Sequence, residues 1–182
     1  AKTISDEDIL RLVERLDEKV KAKKGMLDPL LNISQFEAGI VQRNIADFPV
    51  NAVLDELRRQ FAHAETAGRL ELRVVPCSLS VRSDQRLLTQ MIGNLVSNAV
   101  KYTEAGRVLL GCRRCGDKLR IEVWDTGIGI PAEQLSAIFE EFHQLDNPAR
   151  ERSKGVGLGL AIVQRLAELL GHAVDVRSSP GK

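Results

Sequence analysis

At 182 residues with 43% hydrophobic side chains, the chain is long enough for one domain with a proper core plus an appendage. Its 26 basic and 25 acidic residues leave a formal charge of +1, which excludes a dedicated nucleic-acid surface, since that needs clustered excess Lys and Arg. No run of about 18 apolar residues occurs, so no membrane contact is expected from this stretch, and the polar, acidic opening Ala1–Asp8 does not read as a signal peptide.

Residues 5 to about 39 read as one long helix. Ser5 is a good N-cap, and Asp6, Glu7 and Asp8 suit the positive end of the helix dipole. Apolar residues at Ile9, Val13, Leu16, Val20, Leu27 and Leu30 alternate intervals of four and three, with Lys23 the one break. That is a heptad seam, and it points to a homodimer through residues 5–39; a long helix lying on its own domain is the alternative. Pro29 removes a helical hydrogen bond and crowds the carbonyl of residue 25, which is Gly25, so the two read as one paired kink. Gly39 reads as the C-terminal stop.

Residues 40–48 form a connection ending in Phe48-Pro49. The division that follows is 1–44, helix and linker, and 45–182, a globular domain. An amphipathic helix is expected from about Asn51 to Ala67, closed by Gly68, with Val53, Leu54, Leu57 and Phe61 on one side. Arg69–Val75 alternates like a strand and stops at Pro76. Ser83 or Asp84 caps a helix running to about Tyr102. Arg107–Arg114 and Lys118–Trp124 form an antiparallel hairpin, Pro131 opens a short helix, 144–154 is a polar loop, Gly157–Leu170 is a helix, and Ala173–Arg177 is a further strand. Helices mixed with an antiparallel sheet make this an α+β fold, a two-layer sandwich.

Cysteine usage says little. There are three, an odd number, which favours a reduced, cytoplasmic setting. Cys112-Arg113-Arg114-Cys115 has no second pair or nearby His pair to complete a zinc site, and reads as two ordinary cysteines at a hairpin, with a redox role as the alternative.

Chemistry gathers in four places. Asn94, Asn98 and Lys101-Tyr102 share one helical face, by spacings of four, then three or four. Two neutral amide oxygens and an ammonium suit a divalent ion bound to phosphate; a solvated polar face is the alternative. Asp125 ends an apolar run and is followed by Thr126-Gly127-Ile128-Gly129-Ile130-Pro131. A carboxylate there can accept from the exocyclic amine of adenine and repels the carbonyl of guanine; a hairpin-end Asp is the plain reading. Phe139 and Phe142 flank Glu140-Glu141, as a loop anchor or as core. Gly155-Val156-Gly157-Leu158-Gly159-Leu160 runs into a helix whose first N–H groups can take a phosphate, with Arg152 and Lys154 just before it. No Gly-Lys-Ser/Thr follows, and no strand precedes, so neither the Walker loop nor the dinucleotide fingerprint fits.

In this order and spacing the four segments resemble the ATP-binding domain of sensor histidine kinases, in the GHKL (Bergerat) superfamily that includes the gyrase, heat-shock chaperone and mismatch-repair ATPases. Asp84–Thr103 matches the N box, Asp125–Gly129 the first glycine box, Ile138–Phe142 the F box and Gly155–Leu160 the second glycine box. The likeness covers Phe48 to the end, and Met26–Gly39 resembles the second helix of the family's dimerisation and phosphotransfer hairpin.

The resemblance implies a protein-histidine kinase using ATP and Mg²⁺. Asn94 would ligate the metal, Asn98 and Lys101 would meet the phosphates, and Tyr102 would line the nucleotide site. Asp125 would hold adenine among Gly127, Gly129, Ile130, Phe142, Gly155, Gly157, Leu158, Gly159 and Leu160. Residues 143–156 would be a lid carrying Arg152 and Lys154, which with Asn94 and Lys101 make up the expected catalytic set. ATPase branches carry a Glu as water-activating base where this chain has Asn94, and an amide cannot take a proton from water, which favours phosphoryl transfer over hydrolysis. The implied partners are a His-bearing hairpin helix and a response-regulator receiver domain. His63, His143 and His172 all lie in the ATP-binding part, outside the family's phosphoacceptor context, and are expected to be structural or exposed. The His-bearing helix is therefore expected to lie outside this sequence, as is a final strand after Lys182. A GHKL-type protein serine kinase and a non-enzymatic ATP-sensing or dimerisation module are the competing readings.

Overall fold

The computed structural model describes residues 27, 31, 34–36, 38–62, 69–144 and 156–181. Most of the expected stalk, including the Gly25/Pro29 kink and the seam from Ile9 to Val20, lies outside the described residues, as do His63, Gly68 and the loop residues Arg152, Lys154 and Gly155.

Leu27, Leu31 and Ser34–Phe36 are helical, and the helix ends where the sequence places its stop. Gly39 adopts φ +63° and donates to the carbonyl of Phe36, while Ile40 donates to that of Gln35. These two bonds satisfy carbonyls that the helix end would otherwise leave bare. The chain beyond is bound to the domain by Arg43, which donates to the carbonyl of Leu169 at 2.9 Å, and by the carboxylate of Asp84. Asn44 donates its N–H to Asp84 Oδ2 at 2.7 Å, and Leu87 donates to Asp84 Oδ1 at 2.9 Å.

β1 (Ala46–Pro49) leads into α1 (Val50–Gln60); β2 (Leu70–Val74) and β3 (Ser80–Ser83) lead into α2 (Gln85–Tyr102). β4 (Gly106–Cys115) and β5 (Lys118–Asp125) follow, then two short 3₁₀ turns at Ala132–Gln134 and Ala137–Phe139, and α3 (Gly159–Leu170). The main sheet runs β2-β4-β5, with β2 parallel to β4 and β4 antiparallel to β5, while β1 and β3 form a separate antiparallel pair. Helices cover one face of the main sheet. Val50, Val53, Leu54 and Leu57 of α1 pack with Leu88, Ile92 and Val96 of α2 against Leu110. On its other side α2 meets α3, where Leu87 and Met91 pack with Ile162, Val163 and Leu166. This is the two-layer α+β sandwich expected.

The outer sheet face is left to solvent and carries Trp124, 58% exposed. Its indole donates to Glu122, which also takes Arg113 at 2.7 Å. Burial works against the charged form of Glu122, but the bonds from Arg113 and Trp124 and the charges of Arg113 and Arg120 outweigh it and hold the carboxyl below its ordinary value.

Four expectations change. Helix α1 runs to Gln60 and Phe61 leaves helical geometry at φ −102°, ψ 9°, while residues 63–67 of the expected helix lie outside the described residues. Strand β1 overlaps the expected connection and β3 a stretch that the sequence left unassigned; four-residue strands with one or two apolar residues carry too little periodicity to announce themselves. Residues 173–177 form no ladder, although burial alternates along them as the pattern predicts. Nearby, Ile130 donates to Ser178 Oγ at 2.8 Å and Gly181 to the carbonyl of Ile128 at 3.3 Å. Finally, Cys112 is not an ordinary free thiol beside Cys115: it is joined to Cys77, and Cys115 stands free. Cys112 and Cys115 are three apart on β4, so they point to opposite faces. No described helix is long and apolar enough to cross a membrane.

Candidate functional site

Helix α2 is the platform. Its buried side, Leu87 to Ala99, fixes its rotation and leaves Asn94, Asn98 and Lys101 on the side facing α3 and solvent. Asn94 donates its Nδ2 back to the carbonyl of Gln90 at 3.1 Å, and this turns Oδ1 outward. That oxygen is 3.8 Å from where a Cβ on Gly159 would sit, and the Asn98 amide atoms are 3.7 Å from the same point. Two amides from the N box and the first residue of α3 therefore meet in space.

The start of α3 is bare of side-chain caps: Leu158 at the N-cap position makes no capping bond. A 12-residue helix presents partial positive charge there, beside Asn94 and Asn98. Lys101 follows one turn along α2; its Nζ bonds Tyr102 Oη at 3.1 Å and lies 4.7 Å over that ring.

Asp125 closes β5 opposite Val108 of β4. Its Oδ1 accepts from Gly127 N–H at 2.9 Å, which orients the carboxylate. Gly127 needs to be glycine for space, since a Cβ would stand 2.4 Å from the carbonyl oxygen of Tyr102. Gly129 needs it for both space and conformation: φ is +73°, and a Cβ would stand 2.7 Å from the carbonyl of Ser179. Ile128 donates to the carbonyl of Tyr102 at 3.3 Å. The first glycine segment is thus tied to the last residues of α2, and Asp125 belongs to the same constellation as Lys101 and Tyr102.

The F box closes the circuit. Ile138 is buried, whereas Phe142 is exposed and takes a positive φ of 62°. Phe142 donates to the carbonyl of Gly157 at 3.0 Å, so the segment that leaves at Gln144 returns at Val156 with its ends joined. Leu158 is buried under α3, and Leu160, half-buried, packs at the edge of the same cluster, so both support the helix start.

Two of the three histidines are described, and both have structural partners. His143 bonds Gln134 Oε1 at 3.2 Å, and His172 bonds Ser83 Oγ at 2.9 Å. Burial lowers the pKa of His172 below its ordinary 6.5. Among the described residues no group of three or more His, Cys, Asp or Glu could hold a metal ion. The oxygen donor aimed at the α3 start is the Asn94 amide, and a neutral oxygen of that kind fits a hard divalent cation that draws its charge balance from phosphate. Thr103 closes the N-box match but was given no role by the sequence, and Ser178 lies outside the four motifs, so its bond to Ile130 carries no signal there.

Residues 83–182 match the family described as "Histidine kinase-, DNA gyrase B-, and HSP90-like ATPase". The circadian input-output histidine kinase CikA of Synechococcus elongatus is 34% identical over 183 residues, covering 94% of this chain and 24% of that protein. The signal transduction histidine-protein kinase BarA of Escherichia coli is 35% identical over 190 residues, covering 99% of this chain and 20% of that protein. The chain thus spans about a quarter or less of the length of these relatives. Among solved structures, full-length ShkA in complex with AMPPNP superposes with a TM-score of 0.74 at 27% identity, covering 93% of this chain and 35% of that one. The catalytic domain of the histidine kinase ThkA gives a TM-score of 0.59 at 26% identity, covering 70% of this chain and 82% of that one. Motif order, fold and relatives agree: the chain belongs to the histidine kinase-, DNA gyrase B- and HSP90-like ATPase family, and the relatives it matches are sensor histidine kinases.

Proposed function

We propose that this chain is the catalytic ATP-binding part of a two-component sensor histidine kinase, moving the γ-phosphoryl group of ATP to a His on a helix outside these 182 residues, for relay to a response-regulator Asp. The observation that carries the reading is the approach of Asn94 and Asn98 to the uncapped start of α3, where both side chains come within 3.8 Å of the place a Cβ on Gly159 would occupy. It makes one anion-seeking patch from two separate motifs.

Asp125 would select adenine, and Tyr102, Gly127, Gly129 and Ile130 would frame the base. Asn98, Lys101 and the N–H groups opening α3 would hold the phosphates. Asn94 Oδ1 would hold Mg²⁺, which offsets negative charge on the phosphates when bound. Arg152 and Lys154 would reach the terminal phosphate from the loop whose ends Phe142 and Gly157 join. In the transfer, an imidazole nitrogen lone pair forms the new bond to the γ-phosphorus, the bond to the β–γ bridging oxygen breaks, and ADP leaves with that electron pair. Asn94 cannot act as a base toward water, because it is an amide. Leu27 and Leu31, four apart on the leading helix and both 58% exposed, support a helical hairpin or homodimer seam there.

The test uses γ-labelled ATP. The present chain alone should show no stable label and little phosphate release, and should label an added His-bearing hairpin helix with acid-labile phosphate. Label on His63, His143 or His172, or rapid steady-state release of phosphate, would overturn the reading. Acid-stable label on a Ser of a supplied protein would favour a serine kinase instead.

A further inference from the structure

The end of α2 and the turn after β5 enclose one polar atom that the packing does not satisfy. Thr103 follows Tyr102 at the C-cap of α2 and is 3% exposed. Among the described residues its Oγ1 is the one buried side-chain polar atom without a hydrogen-bond partner. It lies against the Asp125 turn: a Cβ on Gly127 would stand 3.0 Å from Thr103 Oγ1 and 2.9 Å from Asp125 Oδ1. The groups that border it are engaged with others. Asp125 Oδ1 takes the N–H of Gly127, the carbonyl of Tyr102 takes that of Ile128, and Thr126 Oγ1 takes that of Arg107.

A buried hydroxyl without a partner costs free energy in the empty site and is uncommon in folded proteins. Here it stands beside the carboxylate assigned to purine recognition. A carboxylate can only accept, whereas a hydroxyl can donate. The two together match an edge that offers an amino donor next to a ring-nitrogen acceptor. That is the edge of adenine, with its 6-amino group and N1.

We propose that Thr103 is a second specificity-determining residue of the purine site, its hydroxyl donating toward N1 of adenine, directly or through one water, while Asp125 accepts from the 6-amino group. The hydroxyl gains its partner only when the base arrives, so the site is built to be completed by its ligand. This rests on the reading of Asp125 as the adenine-binding carboxylate, and the experiment separates the two.

Calorimetry with Mg–ATP and with Mg–1-deaza-ATP, which lacks the N1 acceptor, is run on the full chain and on Thr103→Val, Thr103→Ser and Asp125→Asn. Thr103→Val keeps the shape and removes the hydroxyl. It should melt no lower than the unmutated chain without nucleotide, yet bind ATP about three- to tenfold more weakly, and no longer distinguish ATP from 1-deaza-ATP. Thr103→Ser should stay within about twofold of the unmutated chain, since it retains the donor. Unchanged ATP affinity in Thr103→Val, or an equal loss toward both nucleotides, overturns the proposal. If Thr103→Val fails to fold, the unmutated chain still decides, because equal affinity for ATP and 1-deaza-ATP overturns it. Unaltered ATP binding in Asp125→Asn removes the adenine reading itself, whereas a loss there with a silent Thr103→Val removes only the role of Thr103.

Discussion

Phe142 gives its backbone N–H to the carbonyl of Gly157, and both residues take positive φ, 62° and 78°. A Cβ on Gly157 would lie 2.9 Å from the carbonyl oxygen of His143 and 3.0 Å from the carbonyl carbon of Phe142. The two ends of the polar loop therefore meet at a point that tolerates only glycine, immediately before the helix start that faces Asn94 and Asn98.

Gly157→Ala should lower the melting temperature and weaken ATP binding together. The left-handed conformation alone costs about 1–2 kcal/mol for an L-residue, and the backbone contact adds to it. Gly159→Ala makes the contrast, because its nearest neighbours would stand at 3.7 Å and its φ is not positive. That variant should melt no lower, yet bind nucleotide more weakly if phosphate passes over the α3 start. Thermal melts paired with calorimetry separate the two effects.

Asp125→Asn should weaken ATP binding by about 1.5–3 kcal/mol, the scale of a lost hydrogen bond to a charged group. The unmutated chain should strongly prefer ATP to GTP. Equal calorimetric affinities for the two nucleotides would remove Asp125 from base recognition.

Reduction should cost stability. The Cys77–Cys112 bond closes a separation of 35 residues and ties the turn after β2 to the middle of β4. Links of this kind stabilise by about 2–4 kcal/mol, chiefly through the unfolded chain. Cys77→Ser and a reducing agent should lower the melting point by similar amounts and should not add to each other. Cys115→Ser should leave it unchanged.

The domain should also lose stability in mild acid through His172. Its pKa is depressed by burial, so the unfolded chain takes up the proton more readily than the folded one. The contribution is full above the ordinary value of 6.5 and is lost as pH falls toward the lower folded value. Replacing His172 with Gln should flatten the dependence of melting temperature on pH below that point. An unchanged slope would show that another group is responsible.

What could be read from the chain alone followed from how much each segment buries. Helix α2 has an apolar stripe from Leu87 to Ala99 and a capping Asp84, so its limits and its polar face were both legible. The β4–β5 hairpin was legible because its strands are long and Gly116 supplies φ +65° at the turn. Strands β1 and β3 were not, because a ladder between Phe48 and Val81 depends on a partner far away in sequence. The cysteine pairing was missed for the same reason: Cys115 is near Cys112 in sequence, but Cys77 is near it in space. The polar site residues Asn94, Asn98 and Asp125 were visible as residue types at spacings. Their meeting with Gly159 and Gly127 is a product of packing between α2, α3 and the end of β5. Thr103 was visible only as the end of the N box, since the fold alone shows its hydroxyl to be buried without a partner.

Asp84 has a consequence for how motion could travel through this molecule. One of its oxygens anchors the first turn of α2 and the other anchors Asn44, where the chain arrives from the leading helix. Arg43 adds a second tie, donating to the carbonyl of Leu169 near the end of α3 at 2.9 Å, and Phe36 and Val41 pack against the cluster shared by α2 and α3. The junction therefore grips both helices that carry the candidate site, so a twist delivered along the leading helix would load α2 at its first turn and α3 at its last.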